Sequence, residues 1–97
     1  MIIVSQDKRK IVNFDNLFNI DYYKIDGNFE IDANTENDSV CLGHYKTEER
    51  AKEVLQEIMK VYKFYNGKTY YVEDVYNLLG DYENGVYEMP VEGEKRW

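Results

Sequence analysis

The sequence predicts an α+β fold: an antiparallel meander of about five strands covered by one long amphipathic helix. Three observations predict it. Apolar residues from Ala51 to Tyr65 recur at steps of three and four, the spacing of one helical stripe. Phe29, Ile31 and Ala33 alternate with Glu30, Asp32 and Asn34, the signature of a strand with one buried and one wet face. Asp26-Gly27 stands between two extended runs, where a type I′ hairpin turn needs positive φ at both central positions.

Taken in order, Ile2, Ile3 and Val4 form a β-branched run, Gln6 to Arg9 is turn-like, and Lys10 to Phe14 resumes an extended pattern, which together read as a hairpin. Asp15-Asn16 can hydrogen-bond its own backbone and so marks a turn before the strand Ile20 to Ile25. After the Asp26-Gly27 turn comes the alternating strand 29–34, then a polar turn over Thr35 to Asp38, then Ser39 to Tyr45, a strand that runs almost directly into the helix. Thr47 is placed to cap that helix with its hydroxyl, and Glu48 and Glu49 sit where the positive end of the helix dipole favours them. Its apolar stripe is Ala51, Val54, Leu55, Ile58, Met59, Tyr62 and Tyr65, with charge on the opposite face. Asn66-Gly67 ends the helical register. Val72, Val75, Tyr76 and Leu79 then recur at helical spacing before Gly80, which predicts a second, shorter helix. Val86 to Met89 reads as an edge strand stopped by Pro90. Residues 1–90 thus read as a single domain and residues 91–97 as a flexible tail.

At 97 residues the chain supports one small core, burying somewhat over ~60% of its unfolded surface. A hydrophobic fraction of 43%, with ten tyrosines, is a globular composition rather than a disordered one. The net charge of −7 argues against nucleic-acid binding and against an anionic membrane surface, both of which need a cationic footprint. Cys41 is the one cysteine, so no internal disulfide is expected. Nothing resembles a signal peptide or a run of ~20 apolar residues, and a cytoplasmic protein is the expectation.

Asp32-x-Asn34-x-Glu36-x-Asp38 superficially resembles a calcium loop, but Asn37 stands where that loop needs glycine and Gly43 where it needs a bidentate Glu, so a solvated turn is expected. Asp21, Glu30 and Asp32 form a regularly spaced acidic face that could engage a basic groove. Cys41 and His44 are three apart, and in a regular strand that offset points them to opposite faces, which argues against a Cys-His pair. Cys41 is therefore expected to pack as a small apolar residue and His44 to lie at a rim. Tyr65, Tyr70, Tyr71 and Tyr76 are the candidate aromatic contacts of a protein interface, although a small core poor in leucine uses tyrosine in the same way. No catalytic residue, cofactor or metal is expected.

The segments Met1-Ile2-Ile3-Val4-Ser5-Gln6-Asp7, Ile11-Val12-Asn13-Phe14-Asp15-Asn16 and Leu42-Gly43-His44-Tyr45-Lys46-Thr47-Glu48-Glu49-Arg50-Ala51-Lys52-Glu53-Val54-Leu55 resemble a group of small proteins of Gram-positive bacteria and their phages. The resemblance covers about the first two thirds of the chain and brings no catalytic residues with it. It implies a phage or prophage context and antiparallel strands closed by a helix, broadly similar to pleckstrin-homology-like bacterial domains. The region from Lys63 to Tyr87 is an addition relative to shorter members. Together these readings lead to a non-enzymatic cytoplasmic interaction module with a host or phage protein partner, able to form a homo-oligomer. The alternative is an inhibitor of host anti-phage defence, acting by acidic mimicry of nucleic acid or by sequestering a small signalling molecule.

Overall fold

The structure is a computed structural model, and it describes residues 1–65 and 86–92. Among these residues the fold is α+β, with strands β1 (Ile2–Val4), β2 (Ile11–Asn13), β3 (Asn19–Ile25), β4 (Asn28–Asn34), β5 (Ser39–Tyr45) and β6 (Val86–Glu88), and helix α1 (Glu48–Tyr65). A single 3-10 turn, Phe14–Asn16, follows β2, and the Asn13 side chain accepts from the Asp15 amide to start it. The expected meander is present as β3-β4-β5, antiparallel throughout. The N-terminal hairpin does not extend that meander. It belongs to a separate sheet of order β2-β1-β6, in which β6 is an edge strand running parallel to β1. The second helix expected over 72–79, and Tyr70, Tyr71 and Tyr76, lie outside the described residues.

Local chemistry accounts for the turns. Asp26 and Gly27 have φ of 51° and 81°, the two positive values a type I′ turn demands, and Ile25 pairs with Asn28 across it. In the β1–β2 turn the Ser5 hydroxyl donates to Asp7 at 2.6 Å and accepts from the Lys10 amide at 3.0 Å, while Asp7 also accepts from the Arg9 amide. Lys8 takes a positive φ of 64° there. Thr47 caps α1 as its sequence implies, its hydroxyl accepting from the Arg50 amide at 3.1 Å.

The core lies where α1 crosses β4 and β5 and where β1 and β6 close the end of that sandwich. Ile31, Ala33, Leu42 and Tyr45 come from the meander, Ala51, Val54, Ile58 and Val61 from the helix, and Ile3, Tyr87 and Met89 from the first sheet and the residue after it. The helical stripe is rotated from its expected position. Met59 is 50% exposed and Leu55 and Tyr62 are only half-buried, whereas Arg50, Glu57 and Val61 are buried. The cause is the second wall supplied by β6. Tyr87 reaches α1 from that side and donates its hydroxyl to the Glu57 carboxylate at 2.9 Å, so a charged position turns inward with a partner.

Candidate functional site

Two features stand apart from the core packing: a polar cluster on the sheet face turned away from α1, and an apolar groove along the flank of α1. The cluster follows from strand register. Tyr23, Glu30 and His44 are cross-strand neighbours on β3, β4 and β5, and Asp21, Asp32 and Cys41 form the next row. Side chains in such rows stand on one face, about 5 Å apart between neighbouring strands.

Cys41 and His44 share that face because β5 is irregular. The pairing steps from Ile31–Gly43 to Asp32–Cys41, so β5 has one more residue than β4 at this point. The extra residue shifts the alternation by one and brings two positions with an odd offset to the same side. The expectation that Cys41 and His44 point to opposite faces is therefore corrected: Cys41 Sγ lies 3.5 Å from His44 Nε2. Gln6 holds the irregular segment. It accepts from the His44 amide at 3.0 Å, donates to the His44 carbonyl at 3.1 Å, and gives its own amide to the Leu42 carbonyl at 2.7 Å. Gly43 makes this approach feasible, since a Cβ there would stand 3.1 Å from the Gln6 Cβ.

The carboxylates are less wet than alternation implies. Asp32 is 8% exposed and the Glu30 side chain 13% exposed, against 52% for the His44 side chain. Tyr23 donates its hydroxyl to Glu30 Oε2 at 2.7 Å, which leaves Oε1 facing His44 Nε2 at 3.6 Å. The hydrogen bond with Asp32 holds the Glu30 carboxyl below its usual range, whereas burial, reinforced by Glu30, pushes Asp32 up to about 6. The pair thus holds one proton more readily than two separate carboxylates would. Burial, with the charges of Glu30 and Asp32, raises the Cys41 thiol, and the bond to Glu30 raises the Tyr23 phenol. Beside the cluster lies a polar cleft of about 240 Å³ lined by Gln6, Asp7, Lys10, Cys41, Gly43 and His44, among others.

The groove is different chemistry. It encloses about 340 Å³ between the 3-10 turn with the start of β3 on one side and α1 on the other, lined by Phe14, Leu17, Phe18, Ile20, Met59 and Tyr62 among others. Phe18 at its edge is 79% exposed. Phe14 and Tyr62 stack at 4.3 Å between ring centroids and tie the two walls together.

Of the residues expected at an interface, the structure brings Asp21, Glu30 and Asp32 to one face, with Asp21 exposed and the other two largely covered. Tyr65 ends α1, on a different element from that face. Sequence reasoning missed the joining of Tyr23, Cys41 and His44 to the acids. The available signal was Gly43, because a glycine inside a strand marks a bulge or a close backbone approach. Among the described residues no helix is long and apolar enough to cross a membrane. In comparisons with known proteins, no family model, curated protein or solved structure matches the chain.

Proposed function

We propose that this protein is a non-enzymatic cytoplasmic interaction module of phage or prophage origin, and that it associates with a second copy of itself through the apolar groove. The observation that carries the reading is Phe18, an aromatic side chain 79% exposed at the edge of a groove with room for one. A two-fold arrangement would seat each Phe18 in the other copy's groove, the self-complementary geometry that closed dimers use. Both partners carry a charge of −7, so screening should favour the dimer. Light scattering and sedimentation equilibrium at low and high salt test this. The expected result is a dimer that tightens with salt and weakens ~10-fold or more in Phe18→Asp, which adds two buried charges at the interface. A monomer at both salts and at high concentration would reject it.

The pleckstrin-homology-like likeness belongs to the same proposal, supported by the meander closed by a helix. A second reading, inhibition of a host defence system by sequestering a small signalling molecule, draws on the three rings of Phe14, Phe18 and Tyr62 around the groove, which offer a stacking surface to a planar ligand. Native mass spectrometry of the purified protein separates the two, since a retained small molecule supports the second. The mimicry version of that inhibitor is weaker, because Asp21 alone of the three acidic positions stands in water.

A further inference from the structure

Three donor atoms of different chemistry converge on the outer face of β4 and β5. A Glu30 carboxylate oxygen, Cys41 Sγ and His44 Nε2 all lie within 4.8 Å of one another, with His44 Nε2 3.5 Å from the sulfur and 3.6 Å from Glu30 Oε1. The topology of these contacts distinguishes two kinds of chemistry. In a nucleophilic relay, a carboxylate holds one ring nitrogen of the histidine and the nucleophile meets the other. Here carboxylate and thiol meet the same nitrogen, so no proton path runs through the ring from one to the other. Three donors facing one point is the arrangement of ligands around an ion.

We propose that Glu30, Cys41 and His44 form a binding site for a divalent transition metal of zinc-like character. Tetrahedral zinc with Zn–N and Zn–O near 2.0 Å and Zn–S near 2.3 Å has ligand–ligand edges of roughly 3.3–3.5 Å, so the two separations to His44 Nε2 are already close to those of a loaded site. A thiolate, an imidazole and a carboxylate suit a borderline ion rather than calcium or magnesium, which take oxygen donors. Loaded, the thiolate and the Glu30 carboxylate balance the two positive charges of the ion.

Asp32 supplies an independent pointer. Its Oδ1 is buried with no hydrogen-bond partner, on a side chain that is 8% exposed and that stands in register with Cys41. An orphaned buried carboxylate oxygen is costly, and an ion bound nearby lowers that cost through a water held between ion and carboxylate. Tyr23 acts as a positioning residue, because its hydroxyl on Glu30 Oε2 leaves Oε1 directed at His44. The half-exposed His44 and the cleft beside Cys41 give the ion a way in from solvent. The inference is independent of the groove and of the oligomeric state.

The test is titration of the untagged, reduced, chelator-stripped full chain with Zn²⁺ by calorimetry and with Co²⁺ by absorbance. The expected result is one ion per chain, with a near-ultraviolet thiolate-to-cobalt charge-transfer band and a raised Tm. Cys41→Ser should abolish that band and weaken Zn²⁺ at least ~10-fold, and His44→Ala should weaken Zn²⁺ by a similar factor. Circular dichroism checks that each variant is folded. Tyr23→Phe keeps every ligand, so it should retain the charge-transfer band while weakening Zn²⁺ about 10-fold. Folded wild-type protein with no charge-transfer band, or Zn²⁺ binding changed less than about twofold in Cys41→Ser, would overturn the proposal.

Discussion

Ile31 and Ala33 on one face of β4, and Glu30 and Asp32 on the other, are neighbours in one strand, yet they leave water by different means. The first two meet α1 and reach 0% exposure against Val54, Ile58 and their neighbours. The other two lie among polar side chains of the flanking strands, Tyr23, Cys41 and His44. On the helix side, burial is apolar area removed from water, roughly 25 cal/mol per Å². On the outer side, each step of burial makes charge more costly, and the face responds by making Asp32 easier to protonate and by directing the Tyr23 hydroxyl at Glu30. The difference teaches that the fold draws its stability from one face of the sheet and gathers its titratable side chains on the other.

Substitutions should separate the two faces. The largest effect belongs to Ile31→Ala, which removes a fully buried side chain facing the helix and should lower unfolding free energy by about 3 kcal/mol in a urea titration, with unchanged m-value. A loss under 1 kcal/mol would mean that the helix side is loosely packed. Tyr87→Phe removes the hydroxyl on buried Glu57 and should cost about 2 kcal/mol in the same assay, the charged counterpart of the apolar deletion.

Asp32→Asn should act with the opposite sign. Asp32 in the fold titrates near 6, above its ordinary 3.8, so the native state binds this proton more tightly than the unfolded chain does. The favourable contribution is therefore present at low pH and is lost as pH rises from 3.8 through 6. Glu30, held below its ordinary 4.5, contributes in the reverse sense: its stabilisation is present above that value and is lost as pH falls through its lowered pKa. In chelator-treated protein, Asp32→Asn should raise stability by about 2 kcal/mol at pH 8 and leave it nearly unchanged at pH 4. Equal effects at both pH values would show that Asp32 is not the group that titrates. The smallest expected change is Gly27→Ala, which places a Cβ at φ 81° in open space and should cost about 1 kcal/mol, a turn effect that leaves both faces intact.

Much of the meander was legible because its signals are local. Asp26-Gly27, the alternation of residues 29–33 and the Thr47 cap each act within a few residues, and the backbone follows them. What was not legible depends on partners distant in the chain. The rotation of the helix stripe needs Tyr87 against Glu57, thirty positions away, and the alignment of Cys41 with His44 needs Gln6 laid across Gly43. Periodicity assumes a single buried wall and an unbroken strand. A second wall and a one-residue irregularity defeat those two assumptions, and with them the expected placement of Glu57, Met59 and the Cys-His pair.

The parallel pairing of β6 with β1 has a consequence for the order in which the molecule can assemble. Ile3 sits opposite Tyr87, and the Gln6 side chain reaches the Pro90 carbonyl across 84 positions of sequence. The strands β3, β4 and β5 are joined by short turns, and contacts of that kind close quickly, whereas long-range ones come late. During synthesis the meander and α1 can form while β1 still lacks its parallel neighbour. Docking of Val86–Glu88 is then the step that seals Ile3 and Tyr87 and completes the interior.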